Sequence, residues 1–173
     1  VIKSIVSTNM AKSIAEQNGV HLMDVLTGFK FIGEKIKEFE ATNEYSFLFG
    51  FEESNGYLAG TYARDKDAIV ASMLIAEMAC YYHLKQMNLY EALNVLFEKY
   101  GFFEEQCVSI TIGGLNGLET MKGIMRNLRN NPPTAFAGLE IAKVRDYQSG
   151  KVVNVENGEE QDTGLPNADV LFY

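Results

Sequence analysis

Short β-branched runs alternate along the first half of the chain with stretches whose apolar residues recur at helical spacing. Ile2 to Ser7 is apolar and β-branched, Met10 to Asn18 suits a helix stopped by Gly19, and Val20 to Leu26 returns to strand character. Thr27 is placed to cap the next helix, in which Phe29, Ile32, Ile36 and Phe39 share one face and Lys35, Lys37 and Glu38 are left for water. Tyr45 to Phe51 supplies a third strand, rich in aromatics. Strands alternating with helices predict an α/β fold with a mostly parallel sheet flanked by helices.

A loop is expected from Glu52 to Ala63, then a helix from about Lys66 to Gln86. Its Ala68 to Leu84 stretch is apolar enough to be a buried helix, with Met73, Met78, Tyr81 and Tyr82 in the core, but Glu77 and His83 interrupt it and it is too short to cross a bilayer. The next helix has Asn88 as cap, Glu91 at the capping-box position and Gly101 as stop, and its core face is Leu89, Ala92, Leu93, Leu96, Phe97 and Tyr100. A domain boundary is placed near Gly101, dividing residues 1–100 from 101–173. Beyond it, Cys107 to Ile112 reads as strand, Asn116 to Asn130 as a helix ended by Pro132-Pro133, and Phe136 to Tyr147 as strand, an incomplete α+β domain. Ser149 to Asn167 is polar and turn-rich, so it is expected to connect rather than pack, and Val170 to Tyr173 is strand-like.

Charge narrows the classes of partner. With 15 Lys+Arg against 23 Asp+Glu the formal net charge is −8, so the chain repels nucleic acid and anionic lipid, and neither is an expected partner. The 2 cysteines, Cys80 and Cys107, sit in no Cys-x-x-Cys or His-rich context, and a reduced, cytoplasmic location is expected. His21 and His83 have no second ligand at metal spacing. The chain opens on Val1 and stops abruptly after a strand-like run, as an internal piece of a longer chain would.

In open parallel sheets, ligands bind outside the carboxyl ends of the strands, where loops converge and helix N-termini point their N–H groups outward. Two segments qualify: Thr27-Gly28-Phe29-Lys30 after the second strand and Gly50-Phe51-Glu52-Glu53-Ser54-Asn55-Gly56 after the third. Two carboxylates and a hydroxyl held between glycines suit the vicinal hydroxyls of a sugar, although taken alone such a loop also reads as a solvated turn. Ile112-Gly113-Gly114-Leu115-Asn116-Gly117 lacks the Lys-Ser/Thr of a nucleotide loop and reads as a tight turn. Lys122, Arg126 and Arg129, near one helical face, read as cations opposing the helix dipole.

These segments resemble the α-D-phosphohexomutases, the bacterial phosphoglucomutase branch most closely. Thr27-Gly28-Phe29-Lys30-Phe31-Ile32-Gly33 looks like the family's Thr-Gly-aromatic-Lys-Phe element, Gly50 to Gly56 is similar to its Gly-Glu-Glu-Ser-x-Gly sugar loop, and Arg64-Asp65-Lys66-Asp67 resembles its Arg-Glu-Lys-Asp segment. Order and spacing agree, and the resemblance runs, more weakly, to Tyr173. It implies reversible phosphate transfer between the 1- and 6-positions of a hexose, through a phosphoserine and a bisphosphorylated sugar, in an enzyme of four domains. Residues 1–100 would be the third, sugar-recognising domain and 101–173 the beginning of the fourth. By the same resemblance Glu52 and Ser54 would bind sugar hydroxyls, Thr27 and Gly28 would lie at the loop facing the substrate, and Lys66 would approach its phosphate or the phosphoserine. Lys30 is a further candidate. Phe51, inserted between Gly50 and Glu52, departs from the common loop pattern.

The family's Ser-His-Asn-Pro nucleophile loop, its Asp-x-Asp-x-Asp-Arg magnesium loop and its Arg-x-Ser-Gly-Thr phosphate clamp do not occur in this sequence. The resemblance therefore implies Mg2+ in the parent enzyme rather than here, the remaining domains of the parent as partners, a hexose phosphate as substrate, and an isolated fragment without activity. A phosphomannomutase or phosphopentomutase of the same family, or a non-catalytic sugar-phosphate-binding module, are the alternative readings.

Overall fold

The computed structural model describes residues 1–173, and they divide into two compact units, Val1–Gln106 and Cys107–Tyr173. The first unit runs β1 (Ile2–Ser4), α1 (Met10–Gln17), β2 (Met23–Val25), α2 (Phe29–Thr42), β3 (Phe49–Glu52), β4 (Gly56–Ala59), α3 (Ala68–Leu84) and α4 (Leu89–Tyr100). Its sheet has the order β2-β1-β3-β4, with β1 parallel to both β2 and β3 and only β4 antiparallel. The α/β expectation is met. Central β1 is buried on both faces, as a strand in a helix-covered parallel sheet must be.

The core forms where α2 lies on the sheet. Phe29, Ile32, Ile36 and Phe39, at the spacing read from the sequence, pack with Ile2, Val25, Phe47 and Leu58. Gly50 allows the contact, because a Cβ there would stand 2.7 Å from the Ile32 side chain.

Several boundaries differ from the sequence expectations. The α2 N-cap is Gly28, not Thr27: at φ 119° and ψ 118° the backbone is open essentially to glycine alone, and the Thr27 side chain makes no cap hydrogen bond. The third strand is shorter than Tyr45 to Phe51 and starts at Phe49, and the expected 52–63 loop contains β4, paired with β3 from Phe49↔Ala59 to Glu52↔Gly56. A two-stranded turn of Glu53, Ser54 and Asn55 is hidden in the sequence because its turn residues double as polar site chemistry.

Helix α3 is not a buried helix. It begins where expected, with the Asp67 side chain accepting from Ile69 and Val70 N–H, but no residue in it is buried, and Met73, Met78 and Tyr81 are exposed rather than core. Ile69 is 75% exposed and Leu84 84%. Its apolar residues surround the helix, so contacts on one side, with β4 and α4, leave the rest of them outside. Helix α4 has the expected capping box, Asn88 with Glu91, but only Ala92 of its expected core face is fully buried, and Leu89 is exposed. No helix is long and apolar enough to cross a membrane.

The second unit comprises α5 (Gly117–Asn130), a β5–β6 hairpin (Ala135–Phe136, Leu139–Glu140), and an antiparallel sheet of order β10-β7-β8-β9, formed by Leu171–Phe172, Lys143–Asp146, Lys151–Asn154 and Glu160–Asp162. The single strand expected over 136–147 is thus three short ones, broken at Ala137-Gly138, where both residues have positive φ. Cys107 to Ile112 forms no strand: its β-prone residues are mostly exposed and pair with no neighbour. The polar 149–167 segment does pack, as β8 and β9, because an antiparallel sheet can carry polar residues on a wet face. Arg129 ties this unit together, donating from Nε to Asp146 at 3.0 Å and from Nη2 to Asp169 at 2.5 Å, so its role exceeds the dipole complement expected of it. Burial opposes the ionised Asp146 carboxylate, yet the Arg129 guanidinium and the neighbouring donors hold its pKa below the ordinary value.

Candidate functional site

The carboxyl ends of the three parallel strands of the first unit deliver side chains to one place: Ser4 ends β1, Thr27 and Gly28 follow β2, and Glu52 ends β3. Glu52 is 4% exposed. Its Oε1 accepts a short hydrogen bond from the Gly28 N–H at the start of α2, where the partial positive charge of the helix end favours a carboxylate. Its Oε2 stands 3.2 Å from Lys66 Nζ, and the same ammonium lies 3.4 Å from Ser54 Oγ. A carboxylate has about four lone-pair positions, so after these contacts each oxygen can still accept from a ligand hydroxyl.

Interlocking glycine contacts hold these segments together. A Cβ on Gly33 of α2 would stand 2.7 Å from the Arg64 carbonyl oxygen, and one on Gly56 would stand 2.7 Å from Lys66 Cε. The 64–67 segment can therefore lie close to both α2 and the β3–β4 turn, with Arg64 bonded to Glu40 of α2. Lys66 reaches Glu52 from that position, and its side chain remains 39% exposed, so its charge is available to a ligand.

Of the candidate residues, the structure brings Gly28, Glu52, Ser54 and Lys66 into one bonded cluster. Thr27 is exposed beside it and makes no side-chain bond within the chain. Lys30 points its ammonium over the Phe31 ring, 4.9 Å from the centroid, and is not bonded to the cluster. Phe51 alternates with Gly50 and Glu52 across the pleat and packs near Phe49, ring centroids 5.8 Å apart. The departure at Phe51 is thus taken up on the other face of the sheet, away from the carboxylate.

Sequence reasoning missed a buried lysine that fastens the end of β1. Lys3, 1% exposed in β1, spends its donors on the Ser4 carbonyl at 3.2 Å, the Ser7 carbonyl at 3.1 Å and Asp24 Oδ1 at 2.9 Å. The signal was present as a lysine and an aspartate in two adjacent strand segments, which the parallel register places opposite each other, Lys3↔Asp24.

Comparison with known proteins decides the family. Residues 1–100 match the family model described as phosphoglucomutase/phosphomannomutase, alpha/beta/alpha domain III. The chain belongs to the phosphoglucomutase/phosphomannomutase family. It is similar to a phosphoglucomutase of Staphylococcus epidermidis (strain ATCC 35984), 35% identical over 171 residues that cover 99% of this chain and 31% of that protein. A phosphoglucomutase of Staphylococcus haemolyticus (strain JCSC1435) is 37% identical over the same share of each chain. The chain thus spans about a third of the length of these phosphoglucomutase relatives. In fold it is similar to the crystal structure of the exocytosis-sensitive phosphoprotein pp63/parafusin (phosphoglucomutase) from Paramecium in its open form, with a TM-score of 0.54 at 16% identity over 93% of this chain and 26% of that one.

Proposed function

We propose that this chain is the sugar-recognising part of a phosphoglucomutase that interconverts glucose 1-phosphate and glucose 6-phosphate through a phosphoserine and a bisphosphorylated sugar. The observation that carries the reading is the buried Glu52 carboxylate, held at the α2 N-terminus with Lys66 beside it. A fixed, oriented acceptor next to a partly exposed cation suits a ligand with vicinal hydroxyls and a phosphate. Glu52 and Ser54 take the hydroxyls, Thr27 and Gly28 form the wall of the loop, and Lys66 meets the phosphate or the phosphoserine, with Lys30 a peripheral contributor. Because Glu52 is pinned through Oε1, it accepts along fixed directions, and a hydroxyl of the wrong epimer finds no partner there.

The donor set does not fit a magnesium ion, since no three His, Cys, Asp or Glu side chains stand together to hold one. The Mg2+ and the serine nucleophile belong, on this reading, to the remaining domains of the parent chain. The isolated 173-residue chain is therefore expected to be inactive. Movement of phosphate from glucose 1-phosphate by the purified chain, above a heat-killed control, would contradict this.

The site is tested on the full-length parent with magnesium, comparing turnover of glucose 1-phosphate, mannose 1-phosphate and ribose 1-phosphate with and without Glu52→Ala. Glucose-selective turnover that is lost in the variant is expected. Preference for another sugar would replace the substrate and keep the family, and full activity of Glu52→Ala would remove Glu52 from the site.

A further inference from the structure

Glu53 follows Glu52 in sequence but is used differently. Its Oε2 is 2.7 Å from Ser4 Oγ and 3.3 Å from Ser7 Oγ, and the two hydroxyls are 2.8 Å apart. Both serines are buried, Ser4 completely. Two hydroxyl protons serve three contacts: Ser4 gives its proton to Glu53 at the shorter distance, and the single Ser7 proton is shared between Ser4 Oγ and Glu53 Oε2. Behind the serines, the Lys3 ammonium binds both their carbonyl oxygens and so fixes the turn that follows β1. Two adjacent carboxylates thus leave the β3 end in separate networks, Glu52 to α2 and Lys66, Glu53 to the end of β1.

We propose that Glu53 is a positioning residue for substrate binding: its bond to the buried Ser4–Ser7 pair anchors the 53–55 turn to the end of β1 and thereby holds Glu52 and Ser54 in register for the sugar. The proposal rests on the reading of this turn as the sugar loop and adds the residues that set its geometry. The turn has few other fastenings, since Ser54 and Asn55 are exposed and Asn55 is in the left-handed region at φ 56°. Releasing Glu53 lets the turn move without disturbing the core below it.

The test uses the full-length parent and its turnover of glucose 1-phosphate. A loop that contacts the sugar in both ground and transition states affects KM more than kcat. Glu53→Ala is expected to raise KM about tenfold with kcat within about twofold, and Glu53→Gln, whose amide oxygen still accepts from Ser4, to stay within about threefold of the parent. Ser4→Ala breaks the same tie, so Ser4→Ala/Glu53→Ala should show the KM of either single variant rather than the product of the two. Faster amide exchange confined to residues 53–56 should accompany Glu53→Ala, a readout that needs no turnover.

An unchanged KM in Glu53→Ala, unchanged exchange at 53–56, or KM effects that multiply would each overturn the proposal, the last because it would mean that Glu53 touches the sugar itself. Glu53 is exposed, so its variants are informative even where Ser4→Ala fails to fold. The outcomes separate from those for the site as a whole: loss of activity in Glu52→Ala with none in Glu53→Ala rejects the positioning role alone, whereas full activity in Glu52→Ala rejects the sugar-loop reading.

Discussion

Gly56→Ala isolates what Lys66 does at the site. Gly56 lies in β4 opposite Glu52 and has no positive φ, so alanine fits its backbone. The added methyl, however, would stand 2.7 Å from Lys66 Cε, 3.0 Å from Cδ and 3.2 Å from Nζ. Carbon atoms in contact rest at roughly 3.5–4.0 Å, so the outer half of the lysine has to swing by about 1 Å. The Nζ contacts with Glu52 at 3.2 Å and Ser54 at 3.4 Å have no such slack and are lost. In stability this matters little. Leaving one oxygen of a buried carboxylate without its cation costs about 1–2 kcal/mol, discounted because Lys66 is 39% exposed, and replacing strand glycine by alanine returns about 0.5–1 kcal/mol. A net loss of about 1 kcal/mol or less, a few degrees in Tm at most, is expected.

Activity should respond more strongly. On the proposed role of Lys66 at the phosphate, a charge-assisted bond worth about 1.5–3 kcal/mol is lost, so kcat/KM for glucose 1-phosphate in the full-length parent should fall by about tenfold or more. Lys66→Met should show a similar fall, and Gly56→Ala/Lys66→Met should be no worse than Lys66→Met, because the methyl acts only by displacing the lysine. The reasoning is refuted if Gly56→Ala keeps full kcat/KM, or if the double variant loses the product of the two single effects.

Further expectations concern charged groups. Asp67 caps α3 and accepts from the Tyr62 hydroxyl at 2.6 Å, which, with the Val70 and Ile69 N–H groups, lowers its pKa from the ordinary 3.8. Its depressed folded value means that this cap contributes above pH 3.8 and is lost as pH falls through the lower folded pKa; Tyr62→Phe should move the Asp67 midpoint back toward 3.8 in a carboxyl NMR titration, and an unmoved midpoint would deny the tyrosine its role. In the second unit, Arg129→Leu leaves Asp146 and Asp169 without their shared cation and should lower stability against opening by about 2–3 kcal/mol at neutral pH, read from amide exchange in β7 and β8. Asp146 also titrates below its ordinary value, so that contribution is present above pH 3.8 and fades as pH falls through the folded pKa; equal exchange in variant and parent at pH 7 would contradict the assignment.

The local pattern carried much of the first unit. The spacing of Phe29, Ile32, Ile36 and Phe39 located α2 and its buried face, and Asn88 with Glu91 located the start of α4, because helix periodicity and capping act between residues close in sequence. The Thr27–Gly33, Gly50–Gly56 and Arg64–Asp67 segments, singled out by the family resemblance, contribute Gly28, Glu52, Ser54 and Lys66 to one bonded cluster. What depended on distant partners was not legible there. β4 exists through its ladder with β3, Cys107 to Ile112 is no strand for want of one, and α3 reads as core by composition yet lies exposed because burial is set by what packs alongside. The division of labour between Glu52 and Glu53 is of the same kind. Adjacent and chemically identical in sequence, they are separated only when the parallel register brings Gly28, Lys66, Ser4 and Ser7 to the end of β3, since a hydrogen bond depends on position in space and not on residue type.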